Sequence, residues 1–350
     1  MPNRSELGAD LMKRTRRQVL RGAAAAAATA VVGLPGRRAR AADIVMKFGH
    51  GNPETHPNSI RLKAAVDKIN EAAKGKLEIQ VFPNAQLGLD AAMLSQVRSG
   101  VIDFYFTSGV SISSAAGPAA AINAMAFAFK SYADVWPAMD GDLGKLVRDT
   151  ISKIGLRVFD KCWDSGYRQI TTATKPINTP DDLKGFKMRV PISPLNTSLF
   201  KALGASPVSI DFNELYTALQ THIADGEENP LAFVFAGKLY EVQKYCSLTN
   251  HIWDGAWMFA NPNSWASLPK ELQDLVDNGL NGEVPQARAD IKNANDSLRA
   301  ELEKRGMVFN SPNLDPFREV LRAAGFYKDW RDKIGAEAWA VLEKYTGALA

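Results

Sequence analysis

Short apolar runs alternate with longer amphipathic stretches from residue 44 onward. Residues 44–49, 76–82 and 102–106 have the length and the β-branched or aromatic content of buried strands. Between them, residues 56–73 and 87–99 place apolar side chains with the 3.6-residue period of a helix. Strands and helices that alternate in this order form a βαβαβ unit, so the pattern predicts an α/β fold with a largely parallel sheet.

A second series of the same kind begins near Arg168, and two such units predict two lobes. Its strands are predicted at 169–172, at 186–190 and just before Asp225, and its helical segments at 181–184, 194–203 and 212–221.

The segments near the junctions of the two units are predicted to connect the lobes. Residues 156–163 and 242–249 are predicted to be strands that cross between them, and residues 257–260 to return to the first lobe. Residues 267–305 have a helical period over almost their whole length. Pro285 is expected to kink this long helix.

The first forty-two residues of the 350-residue chain differ from the rest. A charged start is followed by small apolar residues from 22 to 34 and by Ala39-Arg40-Ala41, which fits a small-x-small cleavage site. The segment is too short and too rich in alanine to span a membrane stably. The sequence TRRQVL at 15–20 resembles a twin-arginine signal, and an ordinary secretory signal is the alternative. Both predict export to the periplasm with cleavage near Ala41.

Removal of this segment changes the charge balance. Of the 42 Lys and Arg residues nine lie in 1–42, and of the 38 Asp and Glu residues two do, so the remainder carries 33 basic and 36 acidic side chains. The remainder has no basic stripe interleaved with aromatic residues and no apolar run of about 18 residues. We therefore expect neither nucleic-acid binding nor stable membrane insertion.

Cysteine and histidine usage bounds the chemistry further. Cys162 and Cys246 each lie in a predicted strand, where they could form one bridge in an oxidising compartment or remain buried thiols. The four histidines are scattered, and no Cys/His spacing fits zinc. No nucleophile, zinc or phosphate-binding motif of a known enzyme class is present. We expect no metal, no cofactor and no enzymatic activity.

Arg189 is the residue best suited to bind a ligand. It lies on a short apolar strand that ends at Pro191, and a guanidinium offers two parallel donors that match the two oxygens of a carboxylate. An ion pair with Asp182 or Glu214 is the structural alternative. Ligands of doubly wound folds bind at the carboxyl ends of strands, where we also expect four other polar side chains: His50, Ser108, Arg168 and Asn229.

The order of several longer segments extends this interpretation. The chain resembles the periplasmic solute-binding proteins of TRAP transporters, the dicarboxylate-binding family, over most of residues 44 to 260. The resembling segments are FPNAQLG (82–88), GVIDFYF (100–106), DSGYRQI (164–170), PINTPDDLKGFKMRVP (176–191), LGASPVSIDFNELYTALQ (203–220), DGEENPL (225–231) and YEVQKYCSLTNH (240–251).

The resemblance implies a fold of two lobes joined by a hinge, with a long kinked helix that spans both. Together with the element pattern it predicts residues 1–42 as the export signal, 43–165 plus 255–294 as lobe I, and 166–254 plus 295–350 as lobe II.

The resemblance also implies roles for individual residues. Arg189 matches the principal carboxylate partner, and Arg168 matches a second arginine that contacts the ligand or holds its loop. Asn229 can bind a polar ligand or cap the helix that opens at Pro230. Phe212 matches an aromatic residue that packs on the ligand, or it belongs to the core. Glu227 stands where the family usually has glutamine, so it either points away from the site or meets a ligand hydroxyl or amine.

Other side chains bear on ligand type. Trp163 and Trp253 flank the predicted cleft and would suit a bulky carboxylate, although packing alone would also explain them. Ser108 and Ser111 stand where sialic-acid-binding members carry charged residues, which argues against sialic acid. Asp90 could accept a ligand hydroxyl or could simply begin a helix.

These observations predict a periplasmic protein that captures an organic acid between two lobes and delivers it to TRAP membrane subunits. The alternatives are a ligand-binding partner of a periplasmic sensor and an exported enzyme. The acid itself is left open among four-carbon dicarboxylates, 2-oxoacids, sugar acids and aromatic carboxylates, and a monomer is the default expectation.

Overall fold

A computed structural model describes residues 42–349 of the chain. The predicted export signal, its twin-arginine character and its cleavage near Ala41 therefore lie outside the described residues, apart from Ala42 itself. None of the helices within residues 42–349 combines the length and the apolar character that a membrane span requires.

The described residues form ten strands, fourteen α-helices and short 3₁₀ helices. The strands are β1 (Ile44–His50), β2 (Leu77–Phe82), β3 (Phe104–Ser108), β4 (Arg157–Val158), β5 (Trp163–Thr172), β6 (Lys187–Val190), β7 (Ser206–Ser209), β8 (Gly226–Asn229), β9 (Tyr245–Ala260) and β10 (Val308–Asn310). The 3₁₀ helices are Pro118–Ala124, Pro180–Leu183 and Leu239–Glu241.

The helices occupy most of the connections between strands and the whole C-terminal region. They are α1 (Pro57–Ala73), α2 (Asp90–Ser99), α3 (Gly109–Ala116), α4 (Tyr132–Met139), α5 (Asp142–Ser152), α6 (Pro194–Ala202), α7 (Phe212–Gln220), α8 (Leu231–Ala236), α9 (Pro262–Ser267), α10 (Lys270–Gly282), α11 (Val284–Lys304), α12 (Asp315–Ala323), α13 (Phe326–Ile334) and α14 (Ala336–Thr346).

All ten strands belong to one sheet, whose main path is β2-β1-β3-β9-β5-β8-β6-β7, with β4 and β10 paired to β9. At one end β1 pairs in parallel with β2 and β3, and at the other β6 pairs in parallel with β7 and β8. The centre is antiparallel, because β5 and β9 run in opposite directions. Apart from the short β10, which pairs in parallel with β9, the expected parallel arrangement is therefore found only at the two ends.

The strand β9 is the longest of the sheet and lies at its centre, between β3 and β5. Its first residues pair with β10, and its last five residues pair with β3. Residues 245–249 of the first predicted segment and all of 257–260 are thus parts of a single strand, whereas residues 242–244 precede it. The prediction for 156–163 was wrong, because only two of these residues form β4, and the long crossing strand is β5, which begins at Trp163.

Two further boundaries differ from the prediction. The strand expected just before Asp225 lies after it, as β8, because the residues before Asp225 form the turn that ends α7. The long helix is divided into α10 and α11 at Glu283, and Pro285 occupies the first turn of α11. Proline is tolerated in a first turn, where its missing N–H has no helical partner to lose.

The helix α11 packs against two separate apolar clusters. Val284 and Ala287 belong to a cluster with the helix α1 and the strands β1 to β3, whereas Leu302 belongs to a cluster with α7 and α8. A long helix that contacts both parts of the molecule, as expected, is therefore confirmed. The residue boundaries proposed for the two lobes remain a prediction.

The two cysteines are buried and unpaired. Cys162 precedes β5 and Cys246 lies in β9, so the placement of Cys162 within a strand was wrong. Burial in apolar surroundings raises the pKa of both thiols. The interpretation of buried thiols is confirmed over that of a bridge.

Candidate functional site

A cavity of about 80 Å³ lies where the strand ends of the two parts of the sheet face each other. This volume is several times the ~10–15 Å³ that one water needs. Charged and polar side chains line it, together with an apolar wall. The lining residues used below are Asp90, Leu94, Tyr105, Thr107, Ser108, Ile112, Arg168, Arg189, Asp211, Phe212, Asn229, Phe233 and Asp254.

Arg189 is buried at the cavity without an acidic partner. It is only 1% exposed, because its strand β6 lies between β7 and β8. Its Nε and Nη2 atoms donate to the Ile210 carbonyl at 2.8 and 2.6 Å. Within residues 42–349 no carboxylate lies within ion-pair distance of this guanidinium, so the alternative of a pair with Asp182 or Glu214 is excluded.

The electrostatic consequence appears in the pKa of Arg189. Burial lowers this pKa to about 10, and the negative charges of Glu227 and Glu228 only partly oppose the effect. The hydrogen bonds to Ile210 leave both hydrogens of Nη1 and one of Nη2 unused. A desolvated cation with free donors at a cavity is an anion site in both charge and geometry.

Arg168 has a different environment, because protein carboxylates surround it. Its Nε pairs with Glu228, and its Nη1 donates to Asp254 at 2.9 Å. Its Nη2 donates to the Glu228 side chain and to Asn229 Oδ1. One Nη1 hydrogen at most remains for a ligand, so holding the loop is the main role that this geometry supports.

The carboxylate of Glu228 is the centre of a buried group that we call the Arg168 network: Arg168, Glu228, His251 and Asp254. His251 Nε2 lies 3.0 Å from Glu228 Oε2. Burial opposes ionisation of Glu228, but the adjacent Arg168 charge lowers its pKa to about 2. Ser108 extends the network to the cavity wall by donating to both oxygens of Asp254.

Asn229 ends β8 at the cavity, where its amide is held on both sides. Its Nδ2 donates to Glu227 Oε2 at 2.5 Å, and its Oδ1 accepts from Arg168.

Glu227 is fully buried, accepts from Thr171 on its other oxygen, and does not line the cavity. Burial raises the pKa of Glu227 to about 7. Of the two arrangements left open for Glu227, the structure has the one in which it points away.

Aromatic side chains form the apolar wall. Phe212, at the start of α7, packs edge to face on Phe233 with ring centroids 5.1 Å apart, and both rings line the cavity. Leu94 of α2 and Ile112 of α3 also line the cavity.

Three predicted residues do not reach this cavity. His50 ends β1 and is fully buried, and it is the following residues Gly51 and Asn52 that line the cavity. Trp163 packs edge to face on Phe106 within the core. Trp253 donates its Nε1 to Asp164 at 2.9 Å.

The sequence interpretation missed Asp211 and Phe233 and left Asp90 undecided. Asp90 begins α2 and accepts from the Tyr105 hydroxyl at 2.6 Å. Asp211 caps α7, and its Oδ2 accepts from the Asp90 backbone N–H at 3.2 Å. An aspartate before a helix normally indicates a cap, and Phe233 lies within α8, where it fits an ordinary core position, so no local signal separated either residue from its structural role.

Comparison with known proteins places this geometry in a family. The model of the bacterial extracellular solute-binding proteins, family 7, matches residues 48–329. The chain belongs to this family. Family 7 comprises the TRAP-type solute-binding proteins and not enzymes, which confirms the resemblance and the expectation of no catalytic activity.

Two characterised relatives illustrate the range of this family. The 2,3-diketo-L-gulonate-binding periplasmic protein YiaO of Escherichia coli is 34% identical over 231 residues, 66% of this chain and 70% of the relative. The C4-dicarboxylate-binding periplasmic protein DctP of Rhodobacter capsulatus is 28% identical over 316 residues, 88% and 92% of the two chains.

Solved structures of TRAP periplasmic solute-binding proteins have the same fold. A protein of Roseobacter denitrificans with bound L-galactonate has a TM-score of 0.80 at 27% identity, covering 87% of this chain and 99% of the other. A protein of Sulfurospirillum deleyianum with bound succinate has a TM-score of 0.82 at 25% identity, with the same coverage. These neighbours have two lobes, which confirms the predicted fold class.

Proposed function

We propose that this protein captures an organic acid by pairing its carboxylate with Arg189 and delivers it to the membrane subunits of a TRAP transporter. The observation that carries the proposal is the buried guanidinium of Arg189, which lines a cavity and, among the residues that the structure describes, has unused donors but no acidic partner. A ligand carboxylate would supply both the missing charge and the missing acceptors.

The known ligands of similar proteins support the same class of compound. Galactonate is bound in a sugar-acid-binding protein of Advenella mimigardefordensis, which is 26% identical to this chain with a TM-score of 0.81 and covers 87% of this chain and 98% of its own. Succinate and L-galactonate occupy the two structures described above. All three ligands carry a carboxylate, the group that Arg189 is placed to bind.

Capture and release follow from the division into lobes. Lobe I, residues 43–165 plus 255–294, contributes Asp90 and Ser108 to the cavity, and lobe II, residues 166–254 plus 295–350, contributes Arg189 and Asn229. The ligand contacts both lobes only when they are closed, so binding favours closure by bending of the strands β5 and β9 that connect them. The membrane subunits would then recognise the closed form at the periplasmic face of the membrane.

Carboxylates are expected to raise the melting temperature of the purified protein, because a ligand that binds only the folded state stabilises it by mass action. At a concentration about a hundred times Kd the gain is about 2.7 kcal/mol. A thermal-shift screen of four-carbon dicarboxylates, 2-oxoacids, sugar acids and aromatic acids measures it, with the corresponding alcohols and amides as controls. A panel in which no acid shifts the transition, or in which neutral analogues act equally, would refute the proposal.

Replacement of Glu227 by glutamine is expected to strengthen carboxylate binding above neutral pH. The pKa of Glu227 is raised to about 7, so its side chain becomes charged as the pH rises through 7 and then repels a ligand anion near Arg189. The affinity of the unmodified protein should therefore fall about threefold or more between pH 6 and pH 8, which corresponds to about half a pKa unit. Calorimetry at both pH values measures the change.

The Glu227→Gln variant should bind with nearly the same affinity at pH 6 and pH 8. It should also be the more stable protein at pH 8, since a carboxyl group whose folded pKa exceeds its unfolded pKa loses stability as pH rises between the two values. Equal pH dependence in both proteins would show that Glu227 does not act on the site. Glu241→Gln, at an exposed hydrogen bond to Tyr216, is the control.

A further inference from the structure

The charged side chains of the cavity do not balance. Arg168 and Asp254 form an ion pair with each other at 2.9 Å and so largely cancel. The remaining charges that line the cavity are Arg189, Asp90 and Asp211. One cation thus faces two carboxylates, and no lysine lines the cavity within the described residues.

Asp90 and Asp211 form an adjacent acidic pair at the cavity, one at the start of α2 and the other as the N-cap of α7. They are joined by the hydrogen bond from the Asp90 backbone to Asp211 Oδ2. Burial and then the charge of Asp211 raise the pKa of Asp90. Neither aspartate has a basic partner within 4.0 Å among the described residues. Asp90 accepts from the hydroxyls of Tyr105 and Thr107, and Asp211 accepts from the backbone N–H groups of Asn213 and Asp90.

The acidic pair matters because it shares the cavity with Arg189, an almost fully buried cation whose donors are not all used. A ligand carboxylate can neutralise only Arg189. A second carboxylate on the same ligand would have no cation to meet and would approach the charge of Asp211 and the acceptor oxygens of Asp90 in a cavity of low dielectric, which is unfavourable. A hydroxyl at that position would instead donate to a charged acceptor.

We propose that the cavity selects hydroxylated monocarboxylates over dicarboxylates, with the ligand carboxylate on Arg189 and ligand hydroxyls on Asp90 and Asp211. This inference rests on the proposed function and adds to it the chemical class of the acid. Phe212 and Phe233 provide an apolar wall for the C–H face of a polyhydroxylated chain, as aromatic rings often do for amphipathic ligands.

The test compares ligands that differ only at one end. D-galactonate ends in a hydroxymethyl group where galactarate has a second carboxylate, and D-erythronate and meso-tartrate differ in the same way. Succinate is a dicarboxylate without hydroxyls. In whichever pair fits the cavity, calorimetry on the purified protein should show that the monocarboxylate binds at least about tenfold more tightly than its dicarboxylate. A tenfold difference corresponds to about 1.4 kcal/mol. Succinate should bind no better than the matched dicarboxylate.

Asp90→Asn should reduce this preference by about tenfold, because the dicarboxylate loses a repulsion while the amide oxygen still accepts from a hydroxyl. Asp211→Asn should act in the same direction, so the test does not depend on the folding of one variant. Asp149→Asn removes an exposed carboxylate that pairs with Lys145 on α5, and it should leave the preference unchanged.

Each outcome separates this inference from the proposed function. Dicarboxylate binding as tight as that of the matched monocarboxylate, or a preference that neither Asn variant alters, would overturn the inference and leave carboxylate capture by Arg189 standing. Absence of binding by every carboxylate would overturn both. A monocarboxylate preference that both variants reduce and the control does not would establish the acidic pair as the selective element.

Discussion

Replacement of Arg189 by alanine is expected to weaken carboxylate binding about a hundredfold, a change of about 2.8 kcal/mol. The guanidinium can make two parallel charge-assisted hydrogen bonds to a carboxylate, each worth about 1.5–3 kcal/mol. The affinity should fall by less than their sum, because the cavity retains Arg168, Asn229 and its aromatic wall.

The same substitution should not destabilise the protein in the absence of ligand. Arg189 is buried, its pKa is lowered by that burial, and within residues 42–349 its hydrogen bonds go to the Ile210 carbonyl alone. Removal of an uncompensated buried charge relieves a desolvation cost, which offsets the lost packing and hydrogen bonds. We therefore expect weaker binding together with an unchanged or increased free energy of unfolding.

Arg189→Lys distinguishes charge from geometry. An ammonium keeps the positive charge but cannot present the paired donors of a guanidinium, so most of the affinity should still be lost. Calorimetry with the best acid from the thermal-shift screen measures both variants, and Arg299→Ala, at an exposed ion pair with Glu303, serves as the control. Unchanged affinity in both Arg189 variants would remove this residue from the site.

The fold and the position of Arg189 on a buried strand could be predicted because their signals are local. The apolar strand that carries Arg189 is recognisable from four residues and the proline after it, and β6 has the predicted position within one residue. Asn229 and Ser108 end β8 and β3, where parallel strands of an α/β sheet present their ligand contacts.

The placement of His50 and Trp253 could not be predicted from the same rule. The end of a strand is visible in the sequence, but the direction of a side chain at that end depends on a shift of one residue, which reverses the face. His50 precedes the residues that line the cavity, and Trp253 lies on β9 next to Asp254, whose carboxylate lines the cavity in its place.

The role of Arg168 was hidden for a different reason. Its carboxylate partners Glu228 and Asp254 lie 60 and 86 residues away in the sequence. No local pattern shows that these charges meet, so an arginine matched to a ligand position in the family could not be separated from one that is neutralised within the protein.

Arg168→Met is expected to destabilise the folded protein by about 3–5 kcal/mol, because it leaves buried carboxylates without their counter-charge. Arg168 and Glu228 are 3% and 0% exposed in their side chains, so water cannot replace the lost partner. Denaturant unfolding without ligand measures the change. Arg299→Met breaks a half-exposed ion pair instead and should cost no more than about 1 kcal/mol.

The double variant Arg168→Met, Glu228→Gln tests the cause of this loss. Glutamine keeps the size of Glu228 and an acceptor for Asn196 but removes the uncompensated charge, so part of the lost stability should return. If Arg168→Met unfolds as easily as the parent protein while ligand affinity collapses, Arg168 is a ligand contact and not a structural one. Because its hydrogen bonds go to Glu228, Asp254 and Asn229, we expect the structural outcome, with Arg189 left as the cation that the acid neutralises.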